Sequence, residues 1–357
     1  MSDDNTLLDC IVIGAGPSGC VFARELARKG KQVLILERRE VFSQRVGETL
    51  PPPVTPLLKR LGLWHQFLLT EPLSSPGNLS LWDGAQAVAN DFIFSPYGCG
   101  WHVDRAKFDS MLVAAAREDM VDIRLGAIVK SIQREGCNWR VFFSLAGVSG
   151  EVTSKNLVLA TGRSNNSMVK AISRKRSDKL LACYAFLPSG DNQDCRTWIE
   201  AVEQGWWYTS GLPSEKTVVA YFTDADLLSK KKGRHGWLNT LLSSTCLVSQ
   251  RTISTPSKWH IADARSGIVE NFEYENILLV GDAALSQDPL SSSGLMFSLE
   301  SSMKAAEAFL SDEGYAPYQS WLSAYWLEYL SSRKSYYGQV NRWPQSEFWM
   351  RRQTNLP

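Results

Sequence analysis

The stretch LLDCIVIGAGPSGCVFARELARKGKQVLILERRE, Leu7 to Glu40, decides the fold. Its apolar run Leu8 to Ile13 reads as a strand, Pro17 to Lys29 has helical periodicity ending at Gly30, and Gln32 to Leu36 is a second buried strand. The turn between strand and helix, Gly14-Ala15-Gly16-Pro17-Ser18-Gly19, fits GxGxxG. The three glycines serve different ends. Gly14 makes the sharp turn, Gly16 lets backbone approach a pyrophosphate, and Gly19 lets the helix sit close to the strand. The helix start then offers N–H groups and partial positive charge to phosphates. Glu37 closes the second strand 23 residues after Gly14, where an acid accepts hydrogen bonds from ribose hydroxyls and disfavours a 2′-phosphate. Arg38 follows it and joins the cofactor-binding candidates. These features predict a dinucleotide site, with FAD and NAD both open.

Working outward, the chain has 357 residues, 44% of them hydrophobic, enough for two domains or one large elaborated one. A net charge of +1 gives no global field favouring nucleic acid or anionic lipid. The opening MSDDNTLLDC is acidic and leads straight into a strand, the wrong order for a secretory signal, so a cytoplasmic chain is expected. No apolar run approaches the roughly 18 to 20 residues that span a bilayer. Seven cysteines and four histidines show no metal-like clustering, which predicts reduced thiols and no metal.

Two later segments repeat the strand-then-small-turn pattern. NLVLATGRS runs from an apolar strand into Ala160-Thr161-Gly162, and NILLVGDAAL delivers Gly281-Asp282. A single NAD-binding unit would not require either one, so the ligand should be longer.

The order GAGPSG, Glu37, GWHVDRAKFD (Gly100 to Asp109), ATGRS, then GDAALSQDPLSSSGL (Gly281 to Leu295) resembles the FAD-dependent aromatic hydroxylase and halogenase superfamily over nearly the whole chain. The resemblance implies FAD as cofactor. It implies that Asp282 hydrogen-bonds the ribityl chain, that Arg105 lies along the phosphates, and that the Pro289 to Leu295 loop, with Ser293, Gly294 and Leu295, opens a helix facing the flavin ring. An ionised carboxylate can satisfy a ribityl hydroxyl, and a glycine suits backbone that must touch a flat ring.

Pattern and resemblance together predict an α/β fold. A Rossmann-like FAD-binding domain would comprise 1–75, 98–174 and 271–330, with an inserted antiparallel β-sheet substrate domain at 76–97 and 175–270. A C-terminal helical segment would occupy 331–357. That tail interleaves aromatic and basic residues, and reads as an end-cap packed on the body or a protein-docking surface. The basic runs Lys230 to Arg234 and Lys170 to Lys179 read as solvated loops.

QRVGETLPP resembles a flavin-proximal segment of the superfamily, which makes Arg45 and Glu48 catalytic candidates and Arg45 a cofactor candidate as well; a loop ion pair is the plain alternative. GWWYTSGLP resembles its substrate-sheet strand, so Trp206, Trp207 and Tyr208 are candidates for the substrate pocket. His102 reads as a structural histidine ahead of a catalytic base. Halogenases of this superfamily rely on a lysine and a WxWxIP strand. No lysine lies between Lys59 and Lys107 here, and Tyr208 and Ser210 stand where the two indoles would be.

What remains is hydroxylation of an electron-rich ring through a flavin hydroperoxide, the chemistry being carried by the cofactor. The wording is most similar to the LodB/GoxB-type flavoproteins, which oxygenate a tryptophan of an amino-acid oxidase precursor during cysteine tryptophylquinone formation. That resemblance implies a quinone-cofactor amino-acid oxidase precursor as partner. Electrons would come from NAD(P)H or a separate flavin reductase, since there is no second GxGxxG. A small-molecule aromatic hydroxylase or halogenase-like enzyme, a prenyl-chain reductase and a non-catalytic flavin-fold escort are the alternatives.

Overall fold

The computed structural model describes residues 7–164, 172–190, 194–231, 233–270, 273–274 and 277–354. Strand β1 (Leu8–Ile13), helix α1 (Pro17–Ala27) and strand β2 (Val33–Glu37) form the expected nucleotide-binding unit. All five side chains of β2 are buried, as a strand covered on both faces requires. Around β1 a parallel core runs in the order Ile277–Leu279, Val148–Leu159, β1, β2, Asp122–Leu125. The twelve-residue strand Val148–Leu159 serves twice. Its second half pairs with β1 from Leu8↔Ser154 to Ile13↔Leu159, while its first half pairs antiparallel with Asn138–Leu145, which in turn pairs with Ile128–Glu135.

A second sheet has seven strands in the order His260–Asp263, Leu180–Pro188, Lys216–Asp224, Gly205–Leu212, Thr197–Val202, Gly77–Leu81, Val88–Asp91. Every pairing is antiparallel except Thr197–Val202 with Gly77–Leu81. Because side chains alternate along a strand, Gly205–Leu212 sends Trp206 and Tyr208 to one face and Trp207 to the other. Trp206 and Tyr208 join a core shared with Tyr337, Phe348 and Trp349; Trp207 packs with Tyr221, Leu238 and Leu242.

The long helix Ala316–Gly338 passes through residue 331 without a break, so the boundary expected there falls inside one helix, and a last helix, Glu347–Thr354, follows it. No proline or glycine interrupts it between Pro317 and Gly338, and nothing in that stretch would stop it. The tail packs on the second sheet: Trp349 Nε1 donates to Val202 O at 3.0 Å, and Arg352 pairs with buried Asp224 at 2.6 Å. Residues 355–357 lie outside the described residues.

The basic run beginning at Lys170 is not a solvated loop where it is described. Arg174–Arg176 is a strand paired with Gly267–Val269. Arg174 turns inward because two backbone carbonyls need a donor, and it gives Nη2–H bonds to Asp282 O at 2.6 Å and Ala283 O at 2.7 Å. Burial pushes its guanidinium down to about 10, with Asp282 pulling the other way. Lys170 and Ala171 lie outside the described residues, as does Lys232 of the other basic run. Lys230 of that run reaches Glu347 at 3.5 Å, and Arg234 begins the helix Arg234–Ser243. No described helix is long and apolar enough to cross a membrane.

Candidate FAD and substrate site

One cavity of about 630 Å³ runs from the glycine turn to the second sheet, within the size range of ligand pockets. Gly14 sits at φ +110°, and a Cβ there would stand 2.5 Å from Ala160 O, so only glycine fits this crossing of β1 with Val148–Leu159. Gly16 lies in open space, with nothing within 4 Å of an added Cβ, and no side chain caps α1. Gly19 is off the cavity wall, because a Cβ there would collide with Gly14 O and approach Ala160 Cβ at 3.2 Å. Pro17 and Ser18 line the wall.

Glu37 is buried at the end of β2, where Oε2 accepts from Ala15 N at 2.8 Å and Oε1 from Arg39 N at 3.0 Å. Each oxygen keeps a lone pair for a ligand hydroxyl. Arg38, Ala160, Thr161 and Gly162 also line the cavity. Gly281, at φ +59°, stands behind the wall against Ser18.

Asp282 faces the cavity with its two oxygens in different states. Oδ2 accepts from Arg163 Nε at 3.1 Å, whereas Oδ1 is buried with no partner among the described residues. Arg163 is anchored in turn to Arg265 O at 3.1 Å and to Gln287 O. Pro289, Gly294 and Leu295 line the wall where the helix Gly294–Leu310 begins, and a Cβ on Gly294 would meet nothing within 4 Å. Ser293 donates to Gln287 Oε1 at 3.0 Å and is not on the wall.

Arg105, at the start of the helix Arg105–Glu118, donates to Gly47 O at 2.8 Å and to Asp109 Oδ1 at 3.1 Å. Arg45 shares the same buried Asp109, with Nη2 at 2.5 Å from Oδ2. Burial and the neighbouring Arg105 bring Arg45 down to about 10, against the pull of Asp109. Arg45 therefore pairs with Asp109 and not with Glu48. Both arginines line the cavity and brace the loop that carries Glu48.

Glu48 is buried, its Oε2 accepting from Gly47 N at 2.7 Å and its Oε1 lying 2.6 Å from Tyr208 OH. Burial raises its carboxyl above the ordinary range, opposed by hydrogen bonds and by Arg105. Burial and the adjacent Glu48 push the Tyr208 phenol well above 10.

Of the three aromatic candidates only Tyr208 lines the cavity. Trp206 shares its face but stacks on Phe222 at 4.0 Å and donates Nε1–H to Tyr337 OH at 3.0 Å. Trp207 faces away. The sheet's contribution is otherwise small apolar side chains, among them Ala182, Val218, Ala220 and Ala262, together with Phe222. Arg163 and Arg174 were not among the sequence candidates. Arg163 stood inside the quoted ATGRS, which was its one signal.

These residues fit FAD. The unpartnered Asp282 Oδ1 suits a ribityl hydroxyl, bare backbone at Gly16 suits the pyrophosphate, and bare backbone at Gly294 suits the ring. Fold and cavity together define a dinucleotide-binding oxidoreductase, and residues 8–204 match the family described as an FAD binding domain: the chain belongs to that family, with FAD as its cofactor. It is similar over its length to the FAD-dependent oxidoreductase LodB of Marinomonas mediterranea, at 31% identity over 96% of both chains. Among solved structures it resembles the myxobacterial chondrochloren halogenase CndH (TM-score 0.89, 23% identity, 98% of this chain and 86% of that one). It also resembles the peptidyl tryptophan dihydroxylase QhpG of tryptophylquinone cofactor biogenesis (TM-score 0.80, 21% identity, 98% and 79%).

Proposed function

We propose that this FAD-dependent oxidoreductase is a monooxygenase that hydroxylates an electron-rich aromatic ring. The favoured substrate is a tryptophan side chain of a quinone-cofactor amino-acid oxidase precursor, and the reaction belongs to the maturation of the precursor's cysteine tryptophylquinone. The observation that supports the oxygenase reading is that one cavity is lined both by the nucleotide turn and by the sheet at Tyr208 and Phe222, which leaves room for a cofactor and an apolar ring side by side. The full-length likeness to LodB and the shared fold with QhpG support a protein-borne ring.

In this reading Glu37, Gly16 and Asp282 hold the sugars and phosphates of FAD, and the backbone at Gly294 and Leu295 faces its ring. Reduced FAD supplies the activation of oxygen. The chain's own side chains orient the ring against Tyr208 and Phe222 and exclude water with the small apolar wall. Arg45 and Arg105 hold the Glu48 loop in place. Electrons arrive from NAD(P)H or a separate flavin reductase, and the work is done in the cytoplasm.

The test is the intact mass of a co-expressed oxidase precursor with and without this protein. A gain of about 16 or 32 Da on tryptophan, the increment for one or two oxygens, supports the reading. Unchanged mass of the precursor, and of free indoles and phenols supplied with reduced FAD and oxygen, overturns it.

A further inference from the structure

We propose that Glu48, Tyr208, Thr49 and His102 form a proton relay at the cavity wall, carrying one proton more than an ionised Glu48 and a neutral His102 would hold. Four contacts define the chain. Tyr208 OH lies 2.6 Å from Glu48 Oε1 and 2.6 Å from Thr49 Oγ1; Thr49 Oγ1 lies 2.9 Å from His102 Nδ1; His102 Nε2 lies 2.9 Å from Cys195 O. At such separations each contact needs one hydrogen between its heavy atoms.

The Cys195 carbonyl can only accept, so His102 Nε2 carries a hydrogen. Tyr208 and Thr49 contribute one each, which makes three hydrogens for four contacts. The fourth sits either on Glu48 Oε1 or on His102 Nδ1. Ser210 Oγ lies 3.0 Å from Tyr208 OH and 3.5 Å from Glu48 Oε1, and its one hydrogen can serve only one of these contacts, so Ser210 does not supply the hydrogen the chain lacks.

Burial decides which end holds the extra proton at rest. Burial raises the Glu48 carboxyl, against the hydrogen bonds from Tyr208 and the backbone and the charge of Arg105, and it lowers the His102 imidazole to about 4, with the Cys195 carbonyl opposing the effect and Arg251 adding to it. The paired Arg45 and Asp109 stand beyond Arg105. Glu48 is accordingly a neutral acid. Its O–H donates to Tyr208, Tyr208 donates to Thr49, Thr49 donates to His102 Nδ1, and His102 Nε2–H donates to Cys195 O.

The same chain runs in reverse once each hydrogen moves one place. Glu48 then becomes a carboxylate and His102 an imidazolium, with no proton gained or lost overall. This step rests on the hydroxylation reading: when a ring carbon gains a C–O bond and loses its C–H bond, one proton must leave. The oxygen and its electrons come from O2 and reduced FAD. Glu48, at the wall with Thr49 and Tyr208, accepts the ring proton, while His102 holds the one it displaced. Tyr208, Thr49 and His102 act through Glu48 as positioning and relay residues.

Infrared spectra of the full-length holoprotein at neutral pH test the proton count without any turnover. The wild type should show a protonated-carboxyl stretch that is absent in Glu48→Gln and displaced in Tyr208→Phe. Should Glu48→Gln fail to fold, the displacement in Tyr208→Phe decides. Absence of the band, or a band indifferent to these substitutions, overturns the proposal. Thr49→Val interrupts the chain at nearly constant volume. It should lower kcat about 10²-fold, the usual worth of acid–base assistance, with KM and FAD affinity unchanged. A Thr49→Val enzyme turning over at the wild-type rate also overturns the relay. If the wild type oxygenates no ring at all, the functional reading fails and the infrared result still stands on its own.

Discussion

Arg163 Nε donates to Asp282 Oδ2 at 3.1 Å, and the other carboxylate oxygen, Oδ1, is buried and has no partner among the described residues. A buried oxygen without a donor costs free energy unless a ligand supplies one, as a ribityl hydroxyl of FAD would in the proposed reading. Asp282→Ala should therefore weaken FAD binding about 10- to 100-fold, the worth of one hydrogen bond to a charged group. Asp282→Asn, which keeps an acceptor but loses the charge, should fall between. Fluorescence titration of apoprotein with FAD measures both, and an unchanged Kd for Asp282→Ala would place the ribityl chain elsewhere.

Two glycines of one turn should fail in different ways. A methyl at Gly16 meets no protein atom within 4 Å, so Gly16→Ala should fold with near wild-type stability and lose FAD affinity as the methyl enters the phosphate path. A methyl at Gly19 would be driven into Gly14 O, so Gly19→Ala should cost about 1–3 kcal/mol of stability. Thermal denaturation of the two apoproteins separates them. Equal losses of stability would contradict the assignment.

The contrast also marks how far the residues alone could be read. The glycine turn and Glu37 could be placed at one cavity edge from local rules, a turn that only glycine can make and an acid at the end of a buried strand, whereas the part expected of Asp282 rested on the resemblance to the superfamily. Trp206, Trp207 and Tyr208 were not resolved in the same way. Period-two alternation separates Trp207 from the other two but does not say which face meets the cavity. Trp206 is taken out of reach by Tyr337 and Phe222, which lie 131 and 16 residues away, and no local pattern encodes that. Arg174 escaped for a similar reason. Its basic neighbours suggest solvent, and its actual partners are two carbonyls more than a hundred residues downstream.

The helix Ala316–Gly338 should be an integral part of the second sheet's core. Trp206 and Tyr337 are both fully buried, and the indole N–H has Tyr337 OH as its partner at 3.0 Å. Tyr337→Phe leaves that donor buried and unsatisfied, which should cost about 1–3 kcal/mol. Urea unfolding followed by tryptophan fluorescence reads the loss. Stability equal to wild type would mean that the helix only rests on the sheet.

The His102 ring should make stability depend on acid in a defined window. Burial holds its folded pKa at about 4 against an ordinary 6.5, so between those values the unfolded chain binds a proton that the folded chain refuses. More protons on the unfolded state mean that stability rises with pH: the contribution is complete above 6.5 and disappears as the pH falls toward 4. The span corresponds to about 3 kcal/mol. Glu48, whose pKa is raised, works in the opposite sense, so the two must be separated by substitution. Gln at position 102 can accept from Thr49 through its carbonyl and donate to Cys195 O through its amide, copying the neutral imidazole without its titration. His102→Gln should match the wild type above pH 6.5 and exceed it in urea-denaturation stability below, by an amount that grows toward pH 4. Parallel curves for the two proteins across this range would mean that His102 already carries the relay's extra proton in the folded state, and would move the neutral end of the chain away from Glu48.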